Sequence, residues 1–185
     1  MSTAMPQQGR ETTWELDPAH TLVEFAVKHM MFTTVKGRFM GVTGRITYDE
    51  ADATRSSVEA EIDASTIHTG VGDRDMHLRS ADFLEVETYP KITFHSERIV
   101  KTGENEYAIT GPLTIHGQTR TVTLKTEFTG QGKDPWGGQR MGFSAHTSIR
   151  RGEYGLKWNA ALEAGGVMVG DEVKITIETE AVLKS

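Results

Sequence analysis

The residues best suited to chemistry lie in one short polar run, Gly-Asp-Arg-Asp-Met-His-Leu-Arg-Ser at 72–80. Asp73 is typical of a helix N-cap, and the apolar alternation of the flanking sequence stops here, so the run predicts a short helix near 73–80. Arg74 and His77 could donate hydrogen bonds to an anion, helped by the helix N-terminus. Alternatively, the run is a plug that covers one end of the fold, held by Met76, Leu78 and Phe83.

Two further charged pairs have ordinary structural interpretations. Asp75 and Arg79 are four residues apart, which predicts an ion pair on the helix surface. Arg150 and Arg151 precede Tyr154-Gly155, and this pattern predicts the solvated end of a strand.

Seven histidines raise the question of a metal site, and strand parity argues against one. Three of them are opposite in parity to neighbouring apolar residues and are predicted to point outward: His95, His116 and His146. No two histidines have metal-ligand spacing and no cysteine can complete a zinc set, so no metal is expected. His29 shares the parity of Phe25 and Val27, and it is predicted either to face a cavity mouth or to cap the core.

Catalytic signatures are missing from the sequence. It contains no Gly-x-Ser-x-Gly elbow, no phosphate-binding loop and no paired-carboxylate motif in a recognisable context. The absence of cysteine excludes disulfides, thiolate metal ligands and cysteine nucleophiles. No cofactor is expected.

The elements that must position these residues are β-strands. Runs that alternate between apolar and polar residues recur along the chain, without a βαβ rhythm, and predict an all-β sandwich or an up-and-down barrel. A barrel of about eight strands encloses space for side chains or for one small ligand. The predicted strands are 13–16, 20–28, 36–39, 43–48, 57–63, 91–101, 106–116, 119–129, 140–151 and 173–182. Single helical turns are predicted at 29–32 and 159–163, and a longer loop at 130–139.

Length and charge limit the domain organisation and the partners that the chain can have. The 185 residues fit a flexible tail at 1–11 and one domain at 12–185. A net charge of -6 argues against nucleic acid as the main partner, and no segment has the apolar length of an integral membrane span. As written, the chain is expected in the cytoplasm; a periplasmic or secreted location would follow if a signal peptide had been removed.

The order and spacing of several short motifs resemble the YceI-like, polyisoprenoid-binding family of lipocalin-like proteins, over about Trp14 to Val182. The central motif is Arg74-Asp75-x-His77-Leu78-Arg79-Ser80-x-Asp82-Phe83. The other carriers are Asp17-Pro18-Ala19-His20-Thr21, Gly37-x-Phe39, Thr69, Pro90, Gly111-x-Leu113-Thr114-Ile115-x-Gly117, Arg151, Tyr154-Gly155 and the final Val-x-Ile-x-Ile run. Thr21 stands where the family commonly has Ser.

The resemblance implies an eight-stranded antiparallel lipocalin-like barrel that holds a long apolar amphiphile, such as an isoprenoid or a fatty-acid derivative, and it implies a homodimer. A non-enzymatic carrier or sequestering protein is favoured. One alternative is an enzyme, a hydrolase or isomerase that uses the barrel as its pocket; two or more titratable groups facing the cavity would favour it. Another is a ligand-free interaction module with a filled core. The candidate ligand-binding residues are Val23, Phe25, Val27, His29, Phe39, Arg74, His77, Phe94, Leu113 and Phe143.

Overall fold

A computed structural model describes residues 9–184, and within them the chain is mainly β-structure with one short helix. The strands are β1 (Glu11–His29), β2 (Thr33–Phe39), β3 (Val42–Asp49), β4 (Ser57–Asp63), β5 (Ile67–His68), β6 (Lys91–His95), β7 (Arg98–Gly103), β8 (Glu106–Ile115), β9 (Gln118–Lys133), β10 (Gln139–Arg150) and β11 (Val169–Lys184). The helix α1 (Gly72–Arg79) lies between β5 and β6, and 3₁₀ turns occupy Ala53–Arg55, Ala64–Thr66 and Arg151–Tyr154.

Eight of these strands form a closed antiparallel ring. The order is β1, β3, β4, β6, β8, β9, β10, β11, and β11 pairs again with β1. The three remaining strands lie outside this ring: β2 pairs with β1, β5 pairs with β2, and β7 pairs with β8. The predicted eight-stranded antiparallel barrel with a short helical insertion is therefore confirmed.

The interior of the barrel contains two apolar clusters at different levels. The larger cluster includes Val23 of β1 and Ile149 of β10. A second one, which we call the end cluster, is built on buried Trp14, Met141 and Ala181. The partly buried side chains that complete the end cluster are Leu16, Ile46, Tyr48, Phe128, Phe143 and Leu183. Five strands, β1, β3, β9, β10 and β11, thus contribute one stretch to the end cluster and another to the larger cluster.

A polar network crosses the junction between these two levels. The pairing of β1 with β11 shifts register between Leu16 and Thr21. There Arg140 Nη1 donates to Asp17 Oδ2 at 2.8 Å and to Glu180 Oε2 at 3.0 Å. The Arg140 hydrogen bond, followed by that of His20, lowers the pKa of Asp17 from 3.8 to about 2. Asp17 consequently remains ionised and bridges β1 to β10.

The N-cap and the side-chain contacts of helix α1 differ from the predicted ones. It begins at Gly72 with Val71 as the N-cap and no side-chain capping bond, so Asp73 is not the cap. Asp75 is 5% exposed and accepts hydrogen bonds from the backbone N–H and the hydroxyl of Thr69. The predicted surface pair is therefore wrong, because this carboxylate anchors the helix to the segment after β5.

The other end of α1 is fixed to backbone carbonyls. Arg79 donates to the carbonyls of Ser65 at 2.8 Å and Ile67 at 3.1 Å. Met76 is 67% exposed and does not contribute to a plug, whereas Phe83 is buried and Leu78 packs against the larger cluster.

Several predicted boundaries also differ from the structure. The run 91–101 divides into β6 and β7, because the chain turns at Ser96, whose hydroxyl accepts from the Val58 N–H. No helical turn forms at 29–32, where Met30 and Met31 have positive φ in a tight turn, and none forms at 159–163. The predicted loop at 130–139 is shorter, because β9 continues to residue 133.

The predicted tail overlaps the structure at its last residues only. Glu11 already belongs to β1, where it pairs with Asp49 of β3. Residues 1–8 of that tail lie outside the described residues, so its flexibility stays a prediction.

Removing one buried hydroxyl should stabilise the barrel. Tyr154 is 1% exposed, burial raises its pKa to about 12, and its hydroxyl has no hydrogen-bond partner among residues 9–184. We expect Tyr154→Phe to increase the free energy of unfolding by about 1 kcal/mol in denaturant melts, since an unsatisfied polar group is removed. Tyr107→Phe, at a half-buried position, is the control and should change little; a loss of stability for Tyr154→Phe would contradict the prediction.

The Asp17–Arg140 pair should make stability depend on pH. A carboxyl whose folded pKa is depressed contributes stability above its unfolded pKa, near 3.8, and that contribution is lost as the pH falls through about 2. Arg140→Gln should therefore raise the pKa of Asp17 in a carboxyl NMR titration and lower stability at neutral pH. The difference from the parent should shrink between about pH 4 and pH 2. Arg98→Gln, on exposed β7, serves as the control, and an unchanged Asp17 titration in Arg140→Gln would refute the account.

Candidate ligand cavity

A cavity of about 380 Å³ lies within the larger apolar cluster, in the ~300–1,000 Å³ range of small-molecule pockets. On β1 its lining extends from Thr21 to His29, which at ~3.3 Å per residue is about 26 Å of extended strand. Leu16 belongs to both the lining and the end cluster, so the end cluster forms the floor. The cavity is therefore long and closed at one end by packed side chains.

Nine of the ten residues predicted to bind ligand line this cavity. They are Val23, Phe25, Val27, His29, Phe39, Arg74, His77, Phe94 and Leu113. Their alternation in sequence brings one face of each strand inward. His29 is exposed at the end of β1 and faces the cavity, consistent with the first of its two predicted roles.

Phe143 is the exception: it does not line this cavity, and its role in ligand binding stays a prediction. Its ring packs against Phe128, with 5.6 Å between centroids, in the end cluster below the cavity. Strand parity indicated that the side chain points inward, but parity does not determine its position along the barrel axis. Phe143 is two residues from Met141 and therefore lies in the packed part of the interior.

A group of three aromatic rings, which we call the aromatic cap, covers part of the cavity. His77 of α1 stacks edge-on against Phe83 at 5.0 Å and Trp158 at 4.7 Å. Phe83 and Trp158 are 5.4 Å apart, and all three line the cavity. His77 Nε2 is also 2.8 Å from Asp82 Oδ2, which orients the imidazole. Trp158 lies in a segment without strand periodicity, so its role had no signal in the sequence.

Arg151 is the largest departure from the prediction. Its side chain is buried, not solvated: the residue is 6% exposed and lines the cavity. Nε donates to the Gly170 carbonyl at 2.7 Å, and Nη2 to that of Val169 at 3.1 Å. Nη1 donates to the carbonyls of Leu156 at 2.6 Å and Trp158 at 2.9 Å. Burial lowers the pKa of Arg151, although the guanidinium stays charged.

Arg150, its neighbour, is exposed as predicted. The sequence could not distinguish the two arginines, because both were predicted to lie in solvent at the end of the strand. Arg151 in fact begins a 3₁₀ turn that Gly155 ends in a left-handed conformation, and this turn directs the guanidinium inward.

Arg74 is held by a single neighbour. Nε donates to the Thr69 hydroxyl at 2.7 Å and Nη2 to the Thr69 carbonyl at 3.0 Å. The same hydroxyl donates to the buried Asp75. These bonds hold the guanidinium of α1 at the cavity wall.

The other histidines lie outside the cavity lining. His95 and His146 are exposed, which confirms the parity argument. His116 contradicts it, because it lies at a positive-φ turn and packs against Tyr89 at 4.8 Å, with Nδ1 3.0 Å from the Tyr154 carbonyl oxygen.

One group of side chains has metal-ligand proximity. Asp17, His20 and Glu180 bring ligand atoms within 4.8 Å of one another. Arg140 already donates to both carboxylates, so a cation would have to displace this guanidinium. The expected absence of a metal stays a prediction.

The cavity contains no assembled catalytic group in the part of the chain that is described. Neither His29 nor His77 shares a hydrogen bond with a hydroxyl that could act as a nucleophile. His77 bonds only to Asp82, which does not line the cavity. The described lining thus contains basic groups but no carboxylate.

No helix within residues 9–184 combines the length and apolarity needed to cross a membrane.

Comparison with known proteins agrees with this architecture. The chain is 38% identical over 139 residues to a UPF0312 protein of Vibrio cholerae, covering 75% of this chain and 74% of the relative. The crystal structure of BcnA from Burkholderia cenocepacia superposes with a TM-score of 0.78 at 26% identity, covering 89% of this chain and 98% of BcnA. A structure described as a polyisoprenoid binding domain from Saccharophagus degradans superposes with a TM-score of 0.69 at 14% identity, over 94% of this chain and 99% of that one, and so shares the fold.

The family model of the YceI-like domain matches residues 14–181, which include helix α1, six ring strands in full and most of β1 and β11. The barrel, the apolar cavity and this match lead to one conclusion: the chain belongs to the YceI-like family.

Proposed function

We propose that this protein binds one long-chain apolar amphiphile inside the barrel and carries or sequesters it without chemical change. The long apolar cavity above the end cluster is the observation that supports this function. Its walls are mainly aliphatic and aromatic, and they follow β1 for about 26 Å, which suits an extended chain better than a compact metabolite.

The energetics favour a long tail. Burying one methylene contributes about 0.8 kcal/mol, so ten contribute about 8 kcal/mol before ordering costs are subtracted. A hydrogen bond from a charged side chain to a head group adds about 1.5–3 kcal/mol. The tail should therefore dominate the affinity, and the head group should determine orientation and selectivity.

The chemical class of the tail is supported by a structural relative. The Saccharophagus degradans domain with the same fold is described as polyisoprenoid-binding. We extend this class to the present chain and include fatty-acyl chains, because an apolar wall does not distinguish a branched tail from a straight one. Extraction of the purified protein with organic solvent, followed by mass spectrometry, would identify the bound lipid; a protein purified from cells without any apolar ligand would count against the proposal.

An enzymatic role receives less support. Five basic groups face the cavity: Lys28, His29, Arg74, His77 and Arg151. The sequence argument held that two or more such groups would favour an enzyme. General acid–base chemistry, however, also requires a group that reacts or accepts the proton, and no carboxylate appears in the described lining. The Thr69 hydroxyl does line the cavity and donates to Asp75, but it also accepts from Arg74 Nε, which lowers its capacity to act as a nucleophile.

The assembly and location of the protein remain predictions. A homodimer is implied by the family resemblance, and light scattering coupled to size-exclusion chromatography would measure it. The described surfaces supply no argument for a nucleic-acid partner, in keeping with the net charge of -6.

A bulky substitution at the cavity wall should separate binding from stability. Val23 is 7% exposed and lines the cavity, so Val23→Trp places an indole where the tail would lie. We expect the lipid-free variant to unfold within about 1 kcal/mol of the parent, because the cavity accommodates the added volume. It should bind a fluorescent long-chain fatty-acyl or isoprenoid probe about tenfold more weakly, or worse.

Met141→Trp is the matched control, because Met141 is 2% exposed in the end cluster and does not line the cavity. Overpacking there should cost about 1–3 kcal/mol of stability and leave probe affinity unchanged. Both proteins must be stripped of lipid, since a bound ligand stabilises the folded state. Strong destabilisation of Val23→Trp with unchanged binding would mean that this wall is ordinary core and would refute the proposed site.

A further inference from the structure

The charge of the cavity differs in sign from the charge of the protein. The chain has 26 acidic and 20 basic residues, yet no Asp or Glu appears in the described cavity lining. Every ionisable group there is a base: Lys28, His29, Arg74, His77 and Arg151. An apolar binder of neutral lipids has no need for this segregation, because buried cations are costly in low-dielectric surroundings.

These basic groups are clustered at the end of the cavity away from the floor. Arg151 donates to the Trp158 carbonyl, and the Trp158 ring stacks on His77. Arg151 also donates to the carbonyl of Val169, the residue that pairs with His29 across β1 and β11. Arg74 lies on α1 one helical turn before His77, so the two guanidinium groups and two imidazoles come from neighbouring segments of the cavity wall.

Arg151 has no carboxylate as a direct hydrogen-bond partner among residues 9–184. Its four hydrogen bonds go to neutral carbonyl oxygens, and the charge of Asp171 only partly offsets the lowering of its pKa by burial. A guanidinium has five N–H donors, so one donor remains without an acceptor in the described chain. A buried cation held in this way is pre-organised to receive an anion, because the carbonyls orient it but do not neutralise it.

The guanidinium of Arg74 also has neutral hydrogen-bond partners. Both of its hydrogen bonds go to neutral oxygens of Thr69. The carboxylate of Asp75 lies on the far side of the Thr69 hydroxyl and does not line the cavity. Asp75 therefore lessens the positive potential at Arg74 without occupying the place of a ligand.

We propose that the cavity selects amphiphiles with an anionic oxygen head group, a carboxylate or a phosphate, which Arg151 and Arg74 bind near the aromatic cap while the tail extends toward the floor. This inference rests on the proposed function and adds the head-group class and the orientation. A planar guanidinium recognises carboxylate and phosphate oxygens alike, so both lipid acids and prenyl phosphates present the required chemistry.

The experiment compares probes that differ only in the head group, using delipidated full-length protein and displacement of a fluorescent long-chain probe. Palmitate is paired with 1-hexadecanol, and geranylgeranyl phosphate with geranylgeraniol. In each pair the acid should bind about tenfold more tightly or better, as one hydrogen bond to a charged group predicts. If the acid is preferred only in the palmitate pair, the ligand class is a fatty carboxylate. If the acid is preferred only in the geranylgeranyl pair, the ligand class is a prenyl phosphate. Both results support the inference.

Variants assign the selectivity to the named residues. Arg74→Gln should reduce the acid-to-alcohol affinity ratio severalfold, because the acid loses a hydrogen bond between charged groups and the alcohol loses at most a weaker one. Arg151→Gln should reduce this affinity ratio further. Arg151→Lys keeps the charge with fewer donors and should restore part of the ratio. The lysine variant also keeps the test possible if the glutamine variant fails to fold. Arg150→Gln is the matched control, because Arg150 is exposed and outside the cavity lining.

The failure of this inference is distinguishable from that of the proposed function. If the parent binds acids and alcohols with equal affinity, the anionic selectivity is refuted and the carrier function stands. If the parent selects acids but Arg74→Gln and Arg151→Lys leave the ratio unchanged, the assignment to these residues is refuted. If neither member of any pair binds, the proposed function itself fails.

Discussion

The pairing of the first strand with the last is the constraint on which the rest of the structure depends. β1 and β11 pair along most of their lengths, from Thr13 opposite Lys184 to His29 opposite Val169. This contact closes the sheet, which removes two exposed edges and gives every ring strand an inner and an outer face. Because side chains alternate along a strand, closure also directs the apolar residues of all eight strands toward a single interior.

One part of that interior stabilises the barrel, and another part forms the proposed binding cavity. The end cluster around Trp14, Met141 and Ala181 is densely packed, so its apolar contacts stabilise the barrel without a ligand. Above it the same strands surround unfilled space, where wall residues lack contacts that a tail would supply. A ligand would therefore stabilise the fold through the same surfaces that recognise it.

The polar groups of the cavity owe their positions to backbone carbonyls and one threonine. Arg151 joins the segment after β10 to the start of β11, while Arg74 ties α1 to Thr69. Both guanidinium groups are thus held rigidly without losing their net charge, in contrast to Arg140, which carboxylates surround at the junction between the two levels. Arg140 thus ties strands together through ion pairs, whereas the hydrogen-bond partners of Arg74 and Arg151 are neutral oxygens.

The amino-acid sequence by itself determined the class of fold and one face of most strands. In β4, Val58, Ala60 and Ile62 alternate with acidic residues, and these three side chains do pack against or line the interior. The order of the short motifs predicted the family, which the family model confirms for residues 14–181. Local patterns suffice here because the alternation of a strand is a property of neighbouring residues.

The level of a residue along the barrel and the partner of each charged group were decided only by the tertiary structure. Parity directed Phe143 inward but could not reveal that its stretch of β10 belongs to the end cluster. The spacing of Asp75 and Arg79 suggested a helical ion pair, whereas each side chain found buried backbone partners outside the helix. Arg151 likewise gained four carbonyl partners from segments as far away as Gly170. Such contacts join residues distant in the chain, so they depend on strand register and barrel closure, which no local pattern encodes.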